Sequence, residues 1–514
     1  MIGRLLGLSL VAAIGMAMGV QPASAASCES LASTALTSGK ITSSSLVAAG
    51  SFTPPGGMGF AMGGPGTPGP FQSLPAFCRV AATLTPTPDS DIKIEVWMPA
   101  QNWNGKLVGI GNGVWAGTIG YSAMAGPLAH GYATVATDTG HAGSGMDAGW
   151  AVGHREKLID FGYRAIHEMT VNAKLLLAAY YGQKEKTALW FSCSTGGRQG
   201  LMEAYRYPED YNGISAMAPA NPMVGLMIGS LYTGYVAMQD PAHRLSRQNL
   251  MAVHKAFIAQ CDQKDGLKDG IVADPQACTF DPSVLQCKGQ PNDDCLTATQ
   301  LATLHDIYTG PKNPKTGAQI FPGFEPGSEL QFGMLTMGTQ PFPVATSYFR
   351  DLIFNNPKWD FKSYDYDKDL PASYRDDGSI LDVPSDGLAK FFSGGGKLLL
   401  SHGWSDGLIP APNTIAFYKA MTATMPPKEK EDSVRLFMIP GMGHCGGGDA
   451  PTVTNMLSVI NDWVETGNAP NSVMATNARR QKPESRLLCP YPQYGRYKGT
   501  GNPDDVSSFT CKAN

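Results

Sequence analysis

The chain has 514 residues, 43% of them hydrophobic and 16% charged, enough for one large globular domain with an insertion or for two to three domains. A formal net charge of -4 with no long single-sign run argues against a nucleic-acid binder. Sixty glycines and 38 prolines point to many turns and long ordered loops.

The N-terminal MIGRLLGLSLVAAIGMAMGVQPASA has the parts of an export signal: Arg4, an apolar stretch from Leu5 to Val20, and an A-x-A site at Ala23–Ala25. The apolar stretch is short for a bilayer, so a signal peptide over 1–25 is expected rather than a membrane anchor. A mature chain starting at Ala26 then sits in an oxidising compartment, periplasmic or extracellular, and no later run is long enough to span a membrane.

A Gly/Pro-rich loop covers 51–70. IKIEVWMP then alternates with the period of a strand, and KLVGIGNG and YATVATDTGH are short apolar runs ending in Gly or Asp. FGYRAIHEMTVNAKLLLAAYYG has helical spacing. TALWFSCSTGG feeds a turn, RQGLMEAYRYPEDY continues as a helix, and GISAMAPA is a buried strand. This alternation predicts an α/β fold with a mostly parallel sheet. It fades between 223 and 375, which reads as an inserted domain, and resumes with GGGKLLLSHGWSD, the helical TIAFYKAMTATM and VRLFMIPGMGHC. The expected division is therefore 26–222 with 376–514 as one domain, and 223–375 as the insertion.

A serine at a strand-turn-helix is the setting of a nucleophile elbow, usually G-x-S-x-G. Positions 192–196 read Ser192-Cys193-Ser194-Thr195-Gly196, with serine at the first glycine position. An α/β-hydrolase orders its triad serine, acid, histidine. Asp406 lies just beyond LLLSHGW and His444 beyond LFMIPGMG, both at expected carboxyl ends of strands. In this reading His444 takes the Ser194 proton and Asp406 orients the imidazole. His402 is the rival base, but it precedes the acid; of nine histidines only His444 follows Asp406.

The ten cysteines are an even number, as expected for disulfides. Proximity in sequence suggests Cys261 with Cys278, Cys287 with Cys295 and Cys489 with Cys511. It leaves Cys28, Cys78, Cys193 and Cys445. A bond between Cys193 and Cys445 would bring Ser194 and His444 together, since bridged Cα atoms lie about 4.4–6.8 Å apart.

C-S-x-G-G followed much later by G-x-G-H-C resembles the tannase and feruloyl esterase family, which includes mono(2-hydroxyethyl) terephthalate hydrolases. NWNGKLVGIGNG, ATDTGH, CSTGGRQGLMEAYRYPEDYNGI, GGGKLLLSHGWSD and IPGMGHC extend the likeness over most of the mature chain. The resemblance implies an α/β-hydrolase fold with the insertion as a lid, a Ser194–Asp406–His444 triad, and a Cys193–Cys445 bond. An oxyanion hole is expected from the backbone N–H of Thr195 and from the early loop GIGNGVWAG, with Gly113 as the donor or Val114 as its alternative. Trp115 either lines the pocket or packs.

CDQKDGLKDGIVADPQAC, from Cys261 to Cys278, crowds oxygen ligands into a short loop, which suits a hard cation such as Ca²⁺. The spacing is not that of an EF-hand. Resemblance to the family's lid calcium loop implies a structural ion held by Asp262, Asp265, Asp269 and the carbonyls of Leu267 and Ile271. The implied substrates are small esters of phenolic aromatic acids, with a terephthalate half-ester as the alternative. The aromatic-rich stretch 321–354 either holds an aromatic acyl group or forms lid core. Phe332-Gly333-Met334 stands where a Gly-Trp pair is common in the family, and Arg350 either pairs with a substrate carboxylate or forms a salt bridge. An acyltransferase with the same serine chemistry and a non-catalytic binding protein on this scaffold are rival readings; the latter predicts a lost triad member. Oligomeric state is not legible.

Overall fold

The computed structural model describes residues 26–55, 69–143, 145–374, 376–448, 450–477 and 484–513. The expected signal peptide at 1–25 lies outside them.

Among the described residues, nine strands form the central sheet: β1 (Gly39–Val47), β2 (Phe77–Leu84), β3 (Ile92–Pro99), β4 (Lys106–Ile110), β5 (Ala133–Thr137), β6 (Thr187–Cys193), β7 (Gly213–Met217), β8 (Lys397–Gly403) and β9 (Val434–Ile439). Their spatial order is β1-β2-β3-β5-β4-β6-β7-β8-β9. From β5 to β9 every neighbouring pair is parallel, and β1, β2 and β3 join antiparallel at one side. β1 and β2 went unread in the sequence. β1 is an edge strand exposed along most of its length, so its GKITSSSLV lacks an apolar face to mark it.

The interior strands read as unbroken apolar runs because both sheet faces are covered. In β8, Leu398 and Leu400 enter one core while Leu399 enters another, following the strand's period of two. Helices α1 (Tyr121–Ala129), α2 (Ala165–Tyr181), α3 (Thr195–Arg206), α4 (Met223–Ala237), α5 (Arg247–Cys261), α6 (Ala298–Thr309), α7 (Ala411–Thr422) and α8 (Met456–Thr466) are the longer ones. α2, α3 and α7 cover the face that takes Leu398 and Leu400, through Met169, Leu176, Leu201 and Ile415. α8 covers the face of Leu399 through Ile460 and Trp463.

Between β7 and β8 the chain leaves the sheet to form a helical layer around α4, α5 and α6. Its core gathers Val224, Ile228, Leu250, Leu304, Phe332 and Tyr348. Trp115 and Phe161, from the sheet-forming part, belong to that same core. Beyond α8, two further hairpins pair β10 (Val473–Thr476) with β11 (Ser485–Leu488) and β12 (Gln493–Tyr497) with β13 (Phe509–Ala513), also unread in the sequence. All ten cysteines are paired: Cys28–Cys78, Cys193–Cys445, Cys261–Cys278, Cys287–Cys295 and Cys489–Cys511.

Candidate active site

Because β4, β6, β8 and β9 run parallel, the loops after them open at one edge of the sheet. Ser194 sits in the first turn between β6 and α3, with φ 64° and ψ -127°. A side chain at positive φ is strained and persists only where its surroundings enforce it. Here the Ser194 N–H donates to the Met217 carbonyl at 2.9 Å, and its own carbonyl accepts from Ala220 N–H at 3.0 Å. The small neighbours are steric requirements. A Cβ on Gly196 would lie 2.0 Å from Ser192 Oγ, and one on Gly111 would lie 2.5 Å from the Gly196 Cα. Serine is thus accommodated at position 192 because the room it takes is left by Gly196.

His444 Nε2 is 3.0 Å from Ser194 Oγ, and its Nδ1 is 2.8 Å from Asp406 Oδ2. With Nδ1–H donating to the carboxylate, Nε2 is left to accept the serine proton. Cys193 and Cys445 flank these residues, with Cα atoms 5.9 Å apart, and their bond spans 252 residues of chain. Asp406 is buried and fully employed. Its Oδ1 accepts from Leu408 and Ile409 N–H, both at 2.9 Å. Oδ2 faces both His444 and His402 Nε2, the latter at 3.1 Å. Burial alone would raise this carboxyl, but the two histidines hold it well below the usual carboxylate range. Burial likewise lowers the His444 imidazole, and the Asp406 charge more than reverses that, leaving it raised.

His402 is not placed as a base. It is fully buried, with Nδ1 2.8 Å from Thr414 Oγ1 and Nε2 3.0 Å from the Ile409 carbonyl. This pattern suits an Nε2–H tautomer that supports Asp406.

The loop after β4 lies against the start of α3. Val114 has φ 49°, unusual for a β-branched residue, and its carbonyl accepts from Thr195 Oγ1 at 3.0 Å. Among the described residues, the N–H groups of Gly113, Val114 and Thr195 donate to no acceptor. Two residues that sequence reasoning passed over hold this loop. Gln199 Oε1 accepts from Asn112 N–H at 2.9 Å, and its Nε2 donates to Asn112 Oδ1 at 3.1 Å. Asn112 Nδ2 in turn donates to the Thr118 and Thr137 carbonyls. Beside it, Arg198 is fully buried and donates to the carbonyls of Phe161, Gly162 and Leu381, fastening α3 to the chain returning from the insertion. Burial pushes its guanidinium down to about 10.

The insertion reaches the site through Gln331. A Cβ on Gly407 would come 2.5 Å from Gln331, and one on Gly443 would come 3.2 Å from its side chain, so this residue abuts both the acid loop and the base loop. Near it in sequence, Leu330, Met334 and Met337 are 41%, 53% and 50% exposed. Phe321, Phe324, Phe332, Phe342, Tyr348 and Phe349 are instead buried, so most of that aromatic stretch is core. Trp115 is core as well: its Nε1 donates to the Val344 carbonyl at 3.0 Å. Arg350 is taken up by Asp351, through Nε–H to Oδ1 at 2.6 Å, with Asp147 3.6 Å away. It forms a salt bridge rather than standing free for a substrate carboxylate.

In the Asp-rich loop, Asp262 Oδ1 accepts from Asp269 and Gly270 N–H, and the two oxygens of Asp265 accept from Leu267 and Ala273 N–H. Burial, with Asp269 and Asp262 close by, pushes the Asp265 carboxyl up to about 7. Asp269 pairs with Arg486 at 2.5 Å, which brings the C-terminal hairpins against this loop. The donors are all oxygen, and Asp265 is a half-buried carboxylate that has no cationic side chain bonded to it among the described residues. That chemistry fits a hard cation.

Residues 78–512 match the family model for tannase and feruloyl esterase. An uncharacterised esterase of Xanthomonas campestris is 34% identical over 98% of this chain and 94% of its own. A probable feruloyl esterase B-2 of Aspergillus terreus is 34% identical, covering 86% of this chain and 87% of its own. Among solved structures, feruloyl esterase B of Aspergillus oryzae superposes with a TM-score of 0.85 at 30% identity, covering 94% of this chain and 99% of that one. Tannin acyl hydrolase of Aspergillus niger shares the fold, with a TM-score of 0.78 at 22% identity over 94% of this chain and 93% of its own. The chain belongs to the tannase and feruloyl esterase family and is a carboxylic ester hydrolase with the α/β-hydrolase fold.

Proposed function

We propose that this protein is an exported serine esterase that cleaves esters of phenolic aromatic acids through an acyl-enzyme on Ser194. The observation that carries the mechanism is the chain of contacts from Ser194 Oγ to His444 at 3.0 Å and from His444 to Asp406 at 2.8 Å. His444 Nε2 accepts the serine proton as Oγ attacks the ester carbonyl. The Thr195 N–H and that of Gly113, with Val114 as its neighbour in the same turn, stabilise the oxyanion. Imidazolium returns the proton to the leaving alcohol, and water then repeats the sequence to release the acid. Asp406 keeps the imidazole in one tautomer and stabilises its charge.

Names of relatives support the phenolic acyl group. The pairing of Arg350 with Asp351 speaks against a terephthalate half-ester held by that arginine. Export is supported by the N-terminal pattern and by the five disulfides. A structural Ca²⁺ held by Asp262, Asp265, Asp269 and the carbonyls of Leu267 and Ile271 would offset carboxylate repulsion in that loop.

The test is hydrolysis of methyl ferulate, methyl gallate, a terephthalate half-ester and short p-nitrophenyl esters by wild type and Ser194→Ala. The phenolic esters are expected to give the highest kcat/KM, and the variant to lose at least about 10⁴-fold in kcat. Full activity in Ser194→Ala would reject the mechanism. Preference for the half-ester would reject the substrate assignment, and transfer to added alcohol in place of hydrolysis would identify an acyltransferase.

A further inference from the structure

Away from the reaction edge, three donors from three segments converge: His167 on α2, Glu203 on α3 and Asp210 in the loop before β7. One ligand atom from each lies within 4.8 Å of the others. His167 Nδ1 is 2.7 Å from Asp210 Oδ2, and the Tyr207 ring stacks on the imidazole at 3.7 Å, fixing its plane. Glu203 is 1% exposed, and apart from the neighbouring Asp210 carboxyl neither of its oxygens meets a hydrogen-bonding group. A buried carboxylate in that condition is costly unless something positive reaches it. The nearby ammonium acts on it only at a distance: Lys174 Nζ donates to the Asp210 backbone carbonyl at 2.6 Å and otherwise faces Glu185 at 3.9 Å. Tyr211, the other titratable neighbour, has its hydroxyl 2.6 Å from Thr170 Oγ1.

We propose that His167, Glu203 and Asp210 bind a divalent transition-metal ion of the zinc type, in a structural site that ties α2, α3 and the β7 loop together. One imidazole nitrogen and two carboxylates form a borderline donor set, which favours Zn²⁺ over Ca²⁺. Ligands about 2.0–2.2 Å from a tetrahedral ion stand about 3.3 Å apart, so small side-chain adjustments close the present arrangement. Water supplies the fourth position. The side chains of His167 and Asp210 are 29% and 11% exposed, which gives the ion an entry path. Binding displaces the proton between His167 and Asp210, and any proton on Glu203, into solvent. The other close group of such residues among the described ones, Cys193, His444 and Cys445, is no rival, since its sulfurs are bonded to each other.

The experiment uses the full mature protein, stripped of metal, then equilibrated with Zn²⁺ in the presence of excess Ca²⁺. Bound zinc per chain and the zinc-induced rise in Tm are measured for wild type, Glu203→Gln and His167→Ala. Ester hydrolysis reports that each variant is folded. Both variants are expected to hold one ion fewer per chain, or to bind it at least about tenfold more weakly, and to lose the rise in Tm. Equal zinc content in wild type and Glu203→Gln would overturn the assignment. So would a wild type that binds no ion but shows an infrared carboxylic-acid band missing from Glu203→Gln, because a proton shared by Glu203 and Asp210 would then fill the place given to the metal.

Discussion

Replacing both Cys193 and Cys445 by alanine separates stability from catalysis. The bond spans 252 residues. On the chain-entropy model, a loop of that length confers about 5.5 kcal/mol by restricting the unfolded chain. An unfolding entropy of about 2.1 cal/mol/K per residue, over roughly 490 residues, converts this into a fall in Tm of about 5 °C. The same bond sets where Ser194 and His444 stand, through residues adjacent to each in sequence. A shift of about 1 Å in such a pair costs about 10²-fold in rate, so kcat/KM is expected to fall 10- to 100-fold in the double variant. Differential scanning calorimetry and hydrolysis of methyl ferulate under the same buffer conditions measure the two effects. An unchanged Tm would refute the loop-entropy argument, and an unchanged kcat/KM would refute a positioning role. Each single variant leaves one free thiol beside the site and is a poorer probe.

The pH profile follows from the imidazole. Asp406 raises the His444 pKa above the ordinary 6.5, so the general base is protonated below that region and kcat/KM rises with pH through a midpoint above 6.5. An acid limb centred well below pH 6 would contradict this. The Asp406 carboxylate, held low, should not limit activity on the acid side. Gln199→Ala removes both bonds to Asn112 and should lower kcat about tenfold with little change in KM, as expected if the loop matters chiefly when the oxyanion forms. Steady-state kinetics on wild type and variant check it; a change confined to KM would point to substrate binding instead. Thorough chelation followed by calorimetry should lower Tm, and added Ca²⁺ should restore it; an unchanged Tm would count against an ion in the Asp-rich loop.

The parallel half of the sheet was legible because its strands are buried on both faces and end in recognisable turns. TALWFSC running into Ser194 and LLLSHG running to Asp406 are clear cases, and their spacing also brought the proposed catalytic residues forward. β1 was not legible, since an exposed edge strand carries no alternation, and the short C-terminal hairpins announce themselves only through pairing. His402 was singled out as a competing base, yet no local pattern says that its nitrogens face Thr414, Ile409 and Asp406. Asn112 and Gln199 lie 87 residues apart, and the Arg198 partners Phe161, Gly162 and Leu381 are also distant in sequence. Only the fold brings each to its partners. The aromatic stretch 321–354 failed differently: composition does not distinguish rings that hold a substrate from rings that hold a core.

The apolar core shared by Trp115, Phe161 and the helical insertion has a kinetic meaning. A flap that swings over a catalytic serine must hinge at a boundary with little buried between its two sides. Here Trp115, within the loop offered as the oxyanion hole, is embedded in the insertion's core and bonded to its Val344 carbonyl. Opening the insertion would tear that loop from its position. The insertion is therefore expected to act as a fixed wall rather than a moving flap. Such an enzyme should respond to dissolved monomeric ester in a simple saturable way, with no jump in rate when substrate forms droplets or micelles.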